Sequence, residues 1–276
     1  MNLESDHESD PNLQSNRSSA EHNARAWDAL ARQQVALAKP ASDEEFTAPL
    51  RTVDPLGWLG ESVANLQVLC LAAGGGRQSA LYAAAGARVT VVDISAEMLV
   101  LDRQVAEERG LDVQAIQASM DSLPMLANGQ FDIVIHPVST CYVANVAPVF
   151  AEVARVTRAG GLYVSQHKSP VSLQADVRPE GGIYGIREPY YRDGPLPTAE
   201  PCRTREPGTQ EFLHRWEELL GGICRAGFAI EDFIEPLHAE ADAAVGTFGH
   251  RSQFVAPYVR IKARRLSADV SARLVY

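Results

Sequence analysis

Residues 66–95 read LQVLCLAAGGGRQSALYAAAGARVTVVDIS. Leu66 to Leu71 is a short apolar run, long enough for a buried strand and too short for a helix. Gly74, Gly75 and Gly76 follow at once. Glycine tolerates positive φ and lacks a Cβ, so a ligand can approach the backbone there. Arg77 to Ala85 is rich in alanine and leucine, which suits a helix, and Gly86 stops it. Arg88 to Val92 is a second β-branched run, ending at Asp93. A glycine loop that opens a helix presents free N–H groups and the positive end of a dipole to a ligand. An acid at the end of the next strand can accept both hydroxyls of a ribose. The stretch therefore predicts a nucleotide-binding half-fold.

The chain on either side alternates in the same way. Ser95 to Arg109 is a helix with Ser95 as N-cap and Gly110 as stop. Val113 to Gln117 and Phe131 to Ile135 are strands. Val146 to Thr157 is a helix, and Ala159, Gly160 and Gly161 turn it into a fifth strand, Leu162 to Gln166. Glu211 to Ala226 is a further helix, with His214 on it as an exposed or capped residue. Phe228 to Ile234 and Phe254 to Ala263 are strands with no helix between them, so they should pair antiparallel. Strands alternating with helices predict a parallel sheet covered on both faces, with ligands at the C-terminal edge of the strands.

Residues 1–20 are polar and acidic and predict a disordered tail. Glu21 to Lys39 is helical by pattern, with Ala26, Trp27, Leu30, Val35 and Leu37 as its apolar face and Pro40 as its stop. Residues 21–60 thus form an N-terminal helix and cap in which Trp27 and Trp58 can help close a pocket. Residues 169–209 hold seven prolines and five glycines and break the rhythm; a segment of this kind is either a substrate-side lid or a mobile loop. Residues 21–264 make one domain, with 265–276 as a tail.

Composition narrows the partners. A hydrophobic content of 46% over 276 residues supports a large core. A formal net charge of −10 argues against nucleic acid, which needs clustered Lys and Arg. No apolar run reaches the ~18 residues of a membrane span, and no secretory signal is visible. Cys70, Cys141, Cys202 and Cys224 have no CxxC spacing, so no metal site is expected and four free thiols in a reducing cytoplasm are.

Two cofactors fit the half-fold. A dinucleotide site normally shows GxGxxG, and here Ser79 stands in place of the third glycine. The rest of the chain is similar to the class I S-adenosylmethionine-dependent methyltransferases, within them the small-molecule, type 11 group. VLCLAAGGG resembles their first motif and VTVVDIS their second. QASMDSLP (117–124) resembles the adenine-contacting segment, and GQFDIVIHPVS (129–139) the strand-four motif. VARVTRAGGLYVS (153–165) resembles the passage into strand five, and AGFAIEDF with FVAPYVRIKARR the final strand pair.

The resemblance implies an α/β, Rossmann-like, doubly wound, seven-stranded and mostly parallel sheet with an antiparallel last strand and helices on both faces. It implies S-adenosylmethionine as cofactor and a small-molecule methyl acceptor, in a monomer or homodimer. Ala72, Gly74 and Gly76 would line the methionine part, Asp93 would hold the ribose, and Ile94 would pack on the adenine. Met120 would offer its N–H to an adenine nitrogen, and Ser119 stands where an aspartate usually accepts from the adenine amino group, with Asp121 as a substitute. His136 would lie beside the sulfonium. Methyl transfer needs mainly orientation and desolvation, with deprotonation in some cases, so no fixed triad is expected. The candidate bases at the strand ends are His136, His167 and Tyr142, histidine being the natural base near neutral pH. An NAD(P)-dependent oxidoreductase and a non-catalytic cofactor-binding module are the competing readings.

Overall fold

The computed structural model describes residues 11–198 and 202–267. Helix α1 (Pro11–Arg32) leads through two short 3-10 turns to α2 (Pro49–Val53). Then come β1 (Gln67–Leu71), α3 (Gln78–Ala84), β2 (Arg88–Asp93), α4 (Ala96–Arg109), β3 (Val113–Gln117) and β4 (Phe131–His136). The chain continues with α5 (Ala147–Val156), β5 (Thr157–Lys168), α6 (Pro170–Gln174), α7 (Gly222–Arg225), β6 (Phe228–Ile234), α8 (Phe248–Arg251) and β7 (Tyr258–Arg265).

The strands form one sheet in the order β3-β2-β1-β4-β5-β7-β6. β1 to β5 are parallel, and β7 runs antiparallel to both β5 and β6. This is the doubly wound, Rossmann-like sheet that the strand–helix alternation predicts. The order reverses between β1 and β4, so their C-terminal ends part and open a crevice there. Alternation along β1 assigns the two faces. Leu69 and Leu71 pack with Phe150, Val153, Leu219 and Ile223 under α5 and α7. Val68 and Cys70 pack with Tyr82, Leu99 and Val63 on the opposite side. All four cysteines are free thiols.

The helix after β2 starts where its cap requires: Ser95 accepts from the Met98 N–H, and Gly110 closes it in the left-handed conformation. Three expectations need correction. The first concerns α1, which begins at Pro11 and takes in half of the stretch expected to be a disordered tail; residues 1–10 lie outside the described residues, as does 268–276 of the C-terminal tail. Its inner face is polar, with Asn16, Ser19 and Asn23 fully buried and hydrogen-bonded, so an apolar pattern cannot reveal it. The second concerns residues 211–215, which are extended. Their backbone is spent crosswise: Phe212 N–H donates to Cys141 O at 2.7 Å, and Leu196 N–H to Glu211 O at 2.7 Å. Helix begins only at Trp216, as a short π-helical turn, Glu217–Gly221, leading into α7. The third concerns Ala159-Gly160-Gly161, which is no turn but a bulge inside β5, with Phe131 opposite Thr157 and then Ile133 opposite Leu162.

Candidate functional site

The glycine loop is held from below by α4. Gly75 and Gly76 have φ of +116° and +72°, which an L side chain adopts at a cost. A Cβ on Gly76 would lie 2.9 Å from Leu101 O and 2.9 Å from Val105 Cγ2. Asp102 of α4 accepts from Gly75 N–H at 2.9 Å, from Gly76 N–H at 3.1 Å and from the Ser79 hydroxyl. Ser79 thus replaces the third glycine with a buried hydrogen bond to the same acid. Burial raises the Asp102 carboxyl to about 6, against the pull of these donors. Asp93 completes the loop: Oδ2 accepts from Gly74 N–H and Oδ1 from Ser95 N–H, both at 2.9 Å. Burial raises its pKa as well, against the Ser95 and Gly74 donors. Each carboxylate oxygen still has a lone pair for a ligand.

This loop forms one end of a cavity of about 530 Å³. Ala72, Gly74, Gln78, Asp93, Ile94, Ser119 and Met120 line that end. Helix α1 closes the cavity from above, where Trp27 sets its ring edge-on to Tyr142 at 5.7 Å between centroids. Trp58 lies elsewhere, donating from Nε1 to Asp232 at 3.0 Å. Polar side chains tie α1 down. Asn16 donates to Asp121 Oδ2 at 2.9 Å and to Asn145 O at 3.0 Å, and accepts from Asn145 N–H at 2.8 Å. Asn23 donates to Tyr142 O at 2.9 Å and to Gln210 O at 3.0 Å, while Asp28 accepts from the Ser95 hydroxyl at 2.6 Å. Asp121 also accepts from Ser119 at 2.5 Å, so this acid anchors α1 and is absent from the cavity wall.

The candidate bases separate into two kinds. His136 and His167 are buried behind the wall, and neither lines the cavity. His136 meets Tyr163 Oη at 2.8 Å and Ser139 Oγ at 2.6 Å; His167 meets Thr140 Oγ1 and Ser165 Oγ, both at 2.8 Å. Burial lowers both to about 3, with His136 and His214 lowering His167 further. With both nitrogens of each ring bonded to hydroxyls, they orient the loop after β4 and offer no lone pair to a ligand. In this arrangement neither ring reaches the cavity, where a base or a neighbour of the sulfonium is expected. His214 is likewise buried, and its Nε2–H donates to Thr140 O and Val143 O at 3.0 Å each.

Tyr142 does line the cavity, and its hydroxyl donates to Glu206 Oε2 at 2.7 Å. Burial and then Glu206 hold its pKa well up, so it serves as a donor. Glu206, from the 169–209 segment, also accepts from Lys168 Nζ at 2.6 Å. Lys168 reaches Glu211 too, and Glu211 pairs with Arg205. Burial works against the Lys168 ammonium, but the carboxylates of Glu206 and Glu211 outweigh it. Two carboxylates and two cations therefore balance beneath the wall.

The sequence reading overlooked the far end of the cavity, which Gln166, Arg203, His238, Phe248, Tyr258 and Arg260 line. Arg260 Nε donates to Gln166 Oε1 at 2.7 Å, the two being register partners on β7 and β5. The Arg203 guanidinium sits 4.5 Å above the Phe248 ring. His238 packs its ring against Phe248 and Tyr258 at 5.4 and 5.6 Å. Among the described residues, no group of three or more His, Cys, Asp or Glu side chains is placed to hold a metal ion, and no helix is long and apolar enough to cross a membrane.

A sheet in this order, with a reversed β7, a glycine loop after β1 and an acid ending β2, is the scaffold of a Rossmann-like methyltransferase. The "Methyltransferase domain" family matches residues 69–165. The chain is 34% identical over 229 residues to the uncharacterized methyltransferase YbaJ of Bacillus subtilis strain 168, covering 78% of this chain and 89% of that one. The chain belongs to the class I S-adenosylmethionine-dependent methyltransferases. Among solved structures it is similar to an S-adenosylmethionine-dependent methyltransferase from Mesorhizobium loti, at 22% identity and a TM-score of 0.63, over 80% of this chain and 100% of that one. It is also similar to the geranyl diphosphate C-methyltransferase of Streptomyces coelicolor A3(2), at 17% identity and a TM-score of 0.54, over 84% and 87% of the two chains.

Proposed function

We propose that this methyltransferase acts on a small molecule bound in the same cavity as its cofactor. The observation that carries this is continuity: one space of about 530 Å³ runs from the glycine loop and Asp93 to Tyr142, Glu206 and the β5–β7 wall. S-adenosylmethionine supplies an activated methyl group on a sulfonium leaving group. The residues at the loop end suit that cofactor. A Cβ on Gly74 would come within 2.8 Å of Met98 Cβ, so only glycine lets this part of the loop pack on α4 while it lines the cavity. Gln78 lines this end, and its Oε1 is buried with no hydrogen-bond partner, a vacancy that an ammonium donor fills. Asp93 would accept from the ribose hydroxyls, with Ala72 and Gly74 beside the methionine portion and Gly76 behind them, its N–H bonded to Asp102. Ile94, Ser119 and Met120 would surround the adenine.

At the acceptor end, α1 and Trp27 exclude water, while Tyr142 and Glu206 orient the nucleophile. With no histidine reaching the cavity from β4 or β5, rate would come from positioning and desolvation. The free thiols support a cytoplasmic setting.

The test is calorimetry of the purified chain with S-adenosylhomocysteine, NAD and NADP. Binding of the homocysteine product alone is expected, together with its loss in Asp93→Ala. Binding of a dinucleotide in its place overturns the reading.

A further inference from the structure

Two guanidiniums at the far end of the cavity, those of Arg203 and Arg260, have no carboxylate partner among the described residues. This is unusual company for a chain of net charge −10. Glu206, the acid on this wall, is already engaged by Lys168 and Tyr142. Arg251 nearby shows what a structural arginine looks like in this protein. It too lacks a carboxylate, but it spends its donors on Asp176 O, Ser172 O and Oγ, and Ala175 O. Arg203 and Arg260 do not.

Both are held with their forks free. Arg260 uses only Nε, toward Gln166, and leaves its two terminal nitrogens open. Arg203 lies on Phe248, a platform that fixes the plane of the guanidinium and leaves its edge N–H groups open. The two line the same end of the cavity as His238, whose ring shares the Phe248 platform with Arg203; after burial, both charges lower that imidazole. Two guanidinium forks at one end of the cavity, Arg203 exposed at its rim and Arg260 half-buried on its wall, match an oxyanion, which guanidiniums bind bidentately.

We infer that this end is an oxyanion site, and that the methyl acceptor carries a carboxylate or phosphate held by Arg203 and Arg260. The inference rests on the small-molecule reading above. The anion would anchor one end of the acceptor and present its reacting atom toward Tyr142 and the cofactor end.

The experiment is calorimetry on the full chain, first with S-adenosylhomocysteine and then, on the saturated complex in low-chloride buffer, with three probes: inorganic phosphate, benzoate and neutral benzamide. The expected result is that phosphate or benzoate binds and benzamide does not. Arg260→Gln and Arg203→Gln should each weaken that binding about ten- to a hundredfold, the loss of a charge-assisted contact. Charge-retaining Arg260→Lys and Arg203→Lys should weaken it less, and an S-adenosylhomocysteine titration on every variant shows that each is folded. Binding of phosphate alone assigns a phosphorylated acceptor, and benzoate alone a carboxylate. If the homocysteine product binds and neither anion does, or if anion binding is unchanged in both glutamine variants, the oxyanion site is refuted while the methyltransferase reading stands. If the homocysteine product itself fails to bind, it is the earlier reading that falls.

Discussion

Asp102→Asn tests the foundation of the cofactor loop. Asp102 Oδ1 accepts from Gly76 N–H and the Ser79 hydroxyl, and Oδ2 from Gly75 N–H. An amide keeps one oxygen and turns an NH2 toward the remaining donor, at a cost of about 1–3 kcal/mol. Charge works the other way. Burial raises the native carboxyl to about 6, against roughly 3.9 in an unfolded chain. Between those values the native state holds a proton that the unfolded state has released, so this contribution to stability is full at low pH and is lost as the pH rises through 6. From about pH 4.5 to about pH 7.5 the wild type should lose about 2 kcal/mol from this group, and asparagine should lose none. The variant should therefore be clearly less stable than wild type at the lower pH and nearly equal to it at the higher. Urea unfolding followed by circular dichroism at both values measures the difference. If the gap between the two proteins stays constant to within about 0.5 kcal/mol, Asp102 is not a burial-penalised acid and the reasoning fails.

Gly76→Ala should cost about 2–4 kcal/mol, combining a left-handed alanine with a Cβ pressed on the Leu101 carbonyl and Val105. A thermal melt within about 0.5 kcal/mol of wild type would show that the loop has room the geometry denies it. His136→Gln should lower stability by about 1–3 kcal/mol through its Tyr163 and Ser139 contacts while changing kcat by less than about fivefold. A fall in kcat of about a hundredfold at unchanged melting temperature would restore it as a base.

Much of this was readable from residue order. The run from β1 to α4 lies within one or two residues of its expected bounds, because apolar strands, Ser95 and Gly110 are local signals. Ala72, Gly74, Asp93, Ile94, Ser119, Met120 and Tyr142 line the cavity, whereas Gly76 does not and spends its N–H on Asp102. His136 and His167 sit where strand position placed them, but strand alternation and the bonds to Ser139, Tyr163, Thr140 and Ser165 turn their rings inward. Asp102 was overlooked although a signal existed: it shares helical spacing with Met98, Leu99, Val105 and Ala106, so an acid in that row had to be buried. Arg203 and Glu206 could not have been placed. Proline and glycine disguise a segment whose folding depends on contacts far along the chain, such as Lys168 to Glu206. The polar inner face of α1 escaped for a related reason, since asparagine pairing such as Asn16 with Asn145 has no periodic signature.

The balanced group of Lys168, Glu206, Glu211 and Arg205 constrains how this cavity can diversify. Lys168 and Glu211 are both 1% exposed at the side chain, so removing one member strands a charge away from water. Breaking such a buried pair costs about 3–5 kcal/mol, a large part of the roughly 5–15 kcal/mol that keeps a domain folded. A change at one of these positions is thus tolerable only beside a compensating change at another, and relatives with different acceptors should carry substitutions there in pairs. Glu206 lines the cavity and Lys168 does not, so a change at the surface of the cavity is tied to an exchange in the layer beneath it.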